Sequence, residues 1–495
     1  MIKIKDLTVS YPQAKALDQA NLAVAKGEWV LVTGPSGCGK STLGRVLCGL
    51  IPHSIPADVQ GDIRIANFDP QTQPLAETAK YVGMVFQNPS SQLFHLKVVD
   101  EIAFGLRNLG FTEDAIRGRV HWALESTGLQ DLSDSVPGHL SGGQKQCVAI
   151  ASVLAMQPQV IVLDEPTASL DDDSIQRVIA TLVGLREKLG ITIVMIEHRL
   201  TAAMQYADRL VVMEAGKVVV DSTPQQVFTD TDLVSRLGLR RYSAERAAPW
   251  KTLIQANGRH QPNIDPILTM QSITAGYEGK NVIEDIDLNL YPGDFTALVG
   301  ANGVGKSTLA LVAAGLLKPS SGNVQFQGGK KPKPGKDVSL LFQNPIDQLF
   351  TECVDEEIAF GPRNYGCFEL DAHRTTLEQS DLIDLRRRSP LTLSIGQQHR
   401  TALAACVSLR PRVVILDEPT LGQDWGHLQQ IMGFLQQLCQ QGMAVLLITH
   451  DYKLVYRYAH KILLLEDGRI QRKGVLAQKK QYYLEKENTN EVVYS

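Results

Sequence analysis

No apolar run in this chain of 495 residues approaches the roughly 18 residues needed to cross a bilayer, so any membrane role requires a partner protein. Charge of one sign is also scarce. The net charge is −4, which gives no general polyanion-binding surface and excludes nucleic acid as an expected partner. Seven cysteines are scattered without a CxxC pair. This excludes a paired-cysteine metal site and fits reduced thiols. The opening Met1-Ile2-Lys3-Ile4-Lys5 alternates like a strand and lacks the long apolar core of a signal peptide, so the chain is expected in the cytoplasm. What remains is an ordinary globular composition.

Against that background one set of motifs occurs twice. A glycine-rich loop runs Gly34-Pro35-Ser36-Gly37-Cys38-Gly39-Lys40-Ser41-Thr42 and again Gly300-Ala301-Asn302-Gly303-Val304-Gly305-Lys306-Ser307-Thr308. The pentapeptide Leu140-Ser141-Gly142-Gly143-Gln144 returns as Leu393-Ser394-Ile395-Gly396-Gln397. An apolar strand ending in Leu163-Asp164-Glu165 returns as Leu416-Asp417-Glu418. Tyr11 and Tyr277, and Lys40 and Lys306, are each 266 residues apart; Gln87 and Gln343 are 256 apart, Glu165 and Glu418 253, and His198 and His450 252. The order is kept and the drift fits a few loop deletions. A period this long is a domain duplication, not a solenoid repeat. The expected organisation is therefore domain one over 1–237, a polar, proline-punctuated linker over 238–266 that includes Arg240 and Arg241, domain two over 267–482, and a tail over 483–495.

Each glycine-rich loop follows a short buried strand and precedes helical spacing, the context that a phosphate loop needs. Glycines let backbone N–H groups approach phosphates, and the following helix presents its positive end. Lys40 and Lys306 are expected to bridge the β- and γ-phosphates of ATP, and Ser41 and Ser307 to offer hydroxyls to Mg²⁺. Asp164 and Asp417, at strand ends, can hold the Mg²⁺ shell. Glu165 and Glu418 can polarise the attacking water. Cys38 reads as a tolerated small residue of its loop.

With LSGGQ between phosphate loop and carboxylate strand, the chain resembles the ABC ATPases. The resemblance implies an α/β fold of two tandem nucleotide-binding domains, each a P-loop (RecA-like) core with an antiparallel β part and a helical subdomain. It implies adenine stacking on Tyr11 and Tyr277, γ-phosphate contact by His198 and His450, and sensing of Mg²⁺ and water by Gln87 and Gln343. It also implies that Ser141, Gly142, Gly143 and Gln144, and likewise Ser394, Gly396 and Gln397, close on ATP held by the opposite domain. Tandem fusion makes that pairing intramolecular, at high effective concentration. Site one then joins the first phosphate loop to LSIGQ, and site two joins the second loop to intact LSGGQ. Ile395 replaces a glycine and adds a β-branched side chain that restricts the backbone, so site two is expected to hydrolyse faster. Leu421-Gly422-Gln423-Asp424, standing where the first half has Ala168-Ser169-Leu170-Asp171, is a second departure.

The stretches Phe86-Gln87-Asn88-Pro89-Ser90-Ser91-Gln92-Leu93-Phe94 and Phe342-Gln343-Asn344-Pro345-Ile346-Asp347-Gln348-Leu349-Phe350 closely resemble those of energy-coupling-factor importer ATPases. That family takes up vitamins and transition-metal ions. The resemblance implies peripheral attachment to the cytoplasmic face of the membrane, an integral scaffold protein (T-type) and a substrate-binding membrane protein (S-type). Asp100, Glu101, Asp355 and Glu356 are the expected docking acids for arginine-bearing coupling helices. Fused double ATPases of this kind resemble those linked to thiamine or its pyrimidine precursor. Two other readings share the tandem plan: the fused ATPase of a sugar importer, and a soluble double ATPase acting on ribosomes. The first lacks the paired FQNPxxQLF stretches, and the second usually carries a charged helical linker or a cysteine cluster.

Overall fold

The computed structural model describes all residues except 13, 88, 141, 169, 171, 199, 201–202, 238, 240–249, 256–263, 421–424 and 477–495. Ser141, Asn88, Ser169, Asp171, the Arg240–Arg241 pair, the 421–424 departure and the 483–495 tail therefore lie outside the described residues. The chain divides into two compact units, one built on Met1–Ala244 and the other on Glu245–Gln423 and His427–Ser495.

The first unit contains, in chain order, β1 (Ile2–Tyr11), β2 (Ala14–Val24), β3 (Trp29–Thr33), β4 (Asp58–Ile65), β5 (Val82–Val85), β6 (Val160–Asp164), β7 (Thr192–Ile196), β8 (Arg209–Glu214) and β9 (Lys217–Ser222). β2, β1 and β4 form an antiparallel sheet; β5-β6-β7-β3-β8-β9 form a second sheet, parallel except for β9. All five residues of β3, Trp29-Val30-Leu31-Val32-Thr33, are buried, as a parallel strand covered on both faces requires. Its alternate residues feed two cores. Val30 and Val32 join Leu43, Val46 and Leu47 of the helix Lys40–Leu47 beneath the antiparallel sheet. Trp29 and Leu31 join Ile102, Val148 and Leu182 of the helices Val98–Asn108, Gly142–Ala155 and Asp172–Leu189.

The second unit repeats this plan. Lys280–Leu290, Leu268–Tyr277 and Ser321–Phe326 form its antiparallel sheet, and Phe295–Val299 is the central parallel strand. Its main sheet has seven strands, because Ile254–Gln255 adds to the edge of Arg469–Leu476. Part of the segment between the domains is thus woven into the second unit. Among the described residues no helix is long and apolar enough to cross a membrane. All seven cysteines are free.

Candidate phosphate sites and an exposed aromatic patch

The loop after β3 lies at the carboxyl ends of the parallel strands, where open α/β sheets bind ligands. Its shape depends on glycine: Gly34 has φ 144°, and a Cβ there would sit 2.1 Å from the Met213 carbonyl oxygen. Gly300 has φ 155°, with Leu465 O 2.3 Å from the same position. The helix Lys40–Leu47 begins after Gly39 with no side-chain cap, so its N-terminal N–H groups face the loop. Lys40 is buried, and its Nζ donates to Gly34 O and Pro35 O at 2.9 Å each. Lys306 does the same to Gly300 O at 2.9 Å and Ala301 O at 2.8 Å.

Asp164 and Glu165 end β6 beside this loop. Ser41 Oγ donates to Asp164 Oδ1 at 3.1 Å. Burial, helped by the Glu165 charge, pushes the Asp164 carboxyl up to about 6. Asp417 is raised in the same direction by burial, opposed by its bond from Ser307 and by Lys306. A hydroxyl and a carboxylate, both hard oxygen donors, are a set that suits Mg²⁺ completed by phosphate oxygens. Among the described residues there is no cluster of three or more His, Cys, Asp or Glu that would hold a metal without the nucleotide.

Glu165 sits in the left-handed region at φ 48°, and Glu418 at φ 49°. Non-glycine residues held there are strained, a state common at functional sites. Each is fixed by a backbone bond to the next strand, Glu165 N to Ile196 O at 2.9 Å and Glu418 N to Ile448 O at 3.0 Å. Gln87 Nε2 donates to Glu165 Oε2 at 2.7 Å, and His198 Nε2 lies 3.2 Å from Oε1. Burial pushes the Glu165 carboxyl up, but His198, Lys40 and Gln87 outweigh it and hold it below its ordinary value. His450 Nε2 lies 3.2 Å from Glu418 Oε1 and 2.7 Å from Asn302 Oδ1. Gln343, in contrast, is exposed. The structure thus gathers lysine, serine, aspartate, glutamate and histidine at each loop.

Tyr11 lies beside its loop, half-buried, with Oη 3.5 Å from Thr42 Oγ1. Tyr277 is 49% exposed. In the second unit Ser394 caps the helix Ile395–Ser408: its Oγ accepts from Gln397 N at 3.3 Å, and Gln397 Oε1 accepts from Ser394 N at 3.1 Å. Ile395 is the first helical residue, where the backbone is one any residue adopts. The expected backbone restriction therefore does not arise at Ile395, and its added side chain is what remains of the difference from glycine. Gly143 is needed for packing, since a Cβ there would meet the Ser174 side chain at 2.6 Å.

The four expected docking acids do not behave alike. Glu101 is buried, and its Oε2 accepts from Phe94 N and His95 N at 2.8 Å each. It braces the loop and is not presented outward. Its structural counterpart is Glu357, which accepts from Phe350 N at 3.0 Å and Thr351 N at 2.9 Å. Asp100 is paired with Arg107 at 3.5 Å and Asp355 with His373 at 3.0 Å, while Glu356 is exposed. Glu357 was hidden in a run of three acids; aligning the two helices on Ile102 and Ile358 reveals it. Gln92 and Gln348 close the same loops, receiving Phe86 N and Phe342 N and donating to Met84 O and Leu340 O. Above these braces two phenylalanines stand out at 64% exposure each: Phe94, edge-on to Phe104 at 4.9 Å, and Phe350, edge-on to Phe360 at 4.8 Å.

Residues 17–168 and 283–421 match the family described as ABC transporter. A relative from Methanosarcina acetivorans, bearing the provisional name of an ABC transporter ATP-binding protein, is 34% identical over 95% of this chain and 84% of its own length. A Caldanaerobacter subterraneus relative with the same kind of name is 35% identical over 96% and 91%. A solved chain described as cbiO1 from Clostridium perfringens, part of the ABC transporter complex cbiONQ, aligns at 35% identity over 48% of this chain and 94% of its own, with a TM-score of 0.43. Two family matches and two phosphate sites in one polypeptide lead to one conclusion: the chain belongs to the ABC transporter family, as an ATP-binding ATPase subunit with two tandem ABC domains.

Proposed function

We propose that this subunit powers an importer of the energy-coupling-factor type, for a vitamin or a metal ion, from the cytoplasmic face of the membrane. The observation that carries this reading is the exposed aromatic pair on each domain. Phe94 with Phe104, and Phe350 with Phe360, crown a loop locked from beneath by a buried glutamate and a bracketing glutamine. Leu96 adds an apolar residue that is 80% exposed. Rigid, exposed apolar side chains of this kind mark an interaction site. The occupant in this reading is a coupling helix of an integral scaffold protein, with Asp100, Asp355 and Glu356 at the rim for its arginine. The scaffold in turn moves a substrate-binding membrane protein. Thiamine or its pyrimidine precursor is the proposed cargo class.

In the catalytic cycle, Lys40 and Lys306 hold the phosphates, and Glu165 and Glu418 orient and polarise the water. His198 and His450 contact the γ-phosphate from the other side of the same glutamates. Ser41 with Asp164, and Ser307 with Asp417, would hold Mg²⁺, which supplies charge neutralisation at the phosphates. ATP draws the two domains together through the signature helices, and hydrolysis releases them. Because Gln87 and Gln343 begin the loops that carry the exposed aromatics Phe94 and Phe350, nucleotide state reaches the docking surface through one short loop.

The test is to tag the chain, solubilise membranes gently and identify what co-purifies. One multi-helix scaffold with one or more small substrate-binding membrane proteins is expected, and Phe94→Ser with Phe350→Ser should abolish the recovery while ATP binding persists. Recovery of a sugar-type permease, or of ribosomes, would overturn the transport assignment and leave the ATPase standing.

A further inference from the structure

The segment that precedes the second domain reaches its catalytic histidine. Ile254 and Gln255 pair antiparallel with Leu476 and Val475. Gly474 makes the room, for a Cβ there would lie 2.0 Å from Gln255 O. In the first unit Ser222 stands at the matching position, and among the described residues β9 is the outermost strand. Ile254 is buried with Ala297, Val299, Val455, Ala459, Ile462 and Leu464. Lys251 Nζ pairs with Glu466 at 2.6 Å, and Arg472 Nη1 donates to Lys251 O at 2.6 Å. At the head of the segment, the Trp250 ring lies flat on Tyr452, with centroids 3.9 Å apart and planes 4° from parallel.

Tyr452 is the first residue of the helix Tyr452–Tyr458 and lies two residues after His450. Between them Asp451 caps that helix, its Oδ1 accepting from Lys453 N at 2.9 Å and Leu454 N at 3.3 Å. The backbone from ring to imidazole is therefore short and fixed at the helix side. The same segment packs on Val299, the residue that leads into Gly300 of the phosphate loop. The first domain covers the matching face differently. There Val227, Val234 and Leu237, from the helices Pro224–Thr229 and Thr231–Arg236 and the residue after them, share one core with Leu200, Ala203, Leu210 and Val212. Leu200 stands where the second domain has Tyr452.

We propose that Trp250 is a positioning residue for the second ATP site: its stack on Tyr452 fixes the start of the helix behind His450 and so holds the imidazole on Glu418. Domain two thereby takes from the inter-domain segment a part that domain one takes from its own later helices. The proposal rests on His450 being the γ-phosphate contact. Simple packing would explain the burial of Ile254, but it does not require a flat aromatic partner two residues from His450.

The test uses the purified full chain, with kcat, KM and thermal unfolding measured together. Trp250→Ala should lower kcat about fivefold with KM nearly unchanged, and Trp250→Phe should restore most of the rate. Ile254→Ala, which loosens the same segment away from the stack, should lower the melting temperature and spare kcat. In a His450→Ala background Trp250→Ala should add no further loss. Parallel loss of rate and stability in Trp250→Ala and Ile254→Ala, without rescue by Phe, would reduce Trp250 to a packing residue. So would a Trp250→Ala loss that adds to that of His450→Ala. Unchanged turnover in His450→Ala alone would remove the histidine's role and the proposal with it.

Discussion

Side by side, the two domains hold Lys40 and Lys306 at the same 2.9 Å from Gly34 O and Gly300 O, and His198 and His450 at the same 3.2 Å from their glutamates. One layer out, the match ends. Gln87 is bonded to Glu165 while Gln343 is exposed. Tyr11 is half-buried while Tyr277 is exposed. Gln146 occupies the buried position that His399 holds in the second domain. Phosphate chemistry depends on loop backbone and a few charged tips, so duplication leaves those unchanged. The layer behind them only has to fill space and satisfy polar atoms, and there each copy has found its own solution.

The largest way to break the comparison is at Glu165 and Glu418, the glutamates proposed to polarise the water. Glu418→Gln is expected to reduce turnover about 100-fold, within the range for losing a general base. Glu165→Gln should reduce it distinctly less if, as the family resemblance implies, LSIGQ completes the site to which Glu165 belongs. Both substitutions keep the shape of a residue held at φ near 50°, so stability should not change. Steady-state ATP hydrolysis decides: equal losses would show that the Ile395 side chain does not weaken its site.

Acid separates the domains next. His399 is buried, neither ring nitrogen finds a hydrogen-bond partner among the described residues, and burial pushes it down to about 4 from an ordinary 6.5. The folded state therefore favours the neutral ring. This contribution to stability is intact above the unfolded value near 6.5, and it falls steadily as pH drops from there to about 4. At about 1.4 kcal/mol per unit, the loss approaches about 3 kcal/mol at the lower end. His399→Gln, copying Gln146, should flatten that acid limb. Unfolding curves at pH 7, 5.5 and 4.5 check it; superimposable pH profiles for the two proteins would refute the burial argument.

A smaller effect sharpens the contrast between the tyrosines. Tyr277→Ala should weaken nucleotide binding about fivefold, near 1 kcal/mol for a lost stack, with stability unchanged because the ring is exposed. Tyr11→Ala should lower affinity and stability together, since that ring also packs on the core under the antiparallel sheet. Equilibrium binding of a fluorescent ATP analogue, with melts alongside, separates the two. Unchanged affinity in Tyr277→Ala would remove the stacking assignment.

The fold and the gathering of these side chains at each glycine-rich loop were legible because strand, loop and helix signals stand at fixed spacing and recur. Asp164 and Glu165 end an unbroken apolar run, and such a run reads as a buried parallel strand. Orientation was not legible. Glu101 and Asp100 are adjacent acids, and only the turn of the helix sends one inward to Phe94 N and leaves the other at the surface. Nor was the docked segment at Trp250–Gln255. A two-residue strand is too short to show periodicity, and its partner strand lies more than 200 residues away in sequence.

The smallest effect concerns a pair that differs as a unit between the copies. Arg400, nearly buried, donates to Asp381 at 2.7 Å, and Asp381 sits at φ 52°. In the first domain the same two positions hold Cys147, also buried, and Gly128 at φ 68°. Either solution is locally consistent: glycine adopts the left-handed turn freely, and aspartate tolerates it when an arginine draws it in. Because Asp381 is 69% exposed, solvent screens the ion pair, and its own contribution stays below about 1 kcal/mol. Asp381→Gly relieves the backbone but leaves a buried guanidinium short of an acceptor. Arg400→Cys removes the stem that packs in the helical part and leaves the turn strained. Making both changes together converts one domain's solution into the other's, so the double variant should be more stable than the sum of the single losses predicts, with a coupling of about 1 kcal/mol. Thermal or urea unfolding of the four proteins measures it, and strictly additive losses would show that the two positions changed independently.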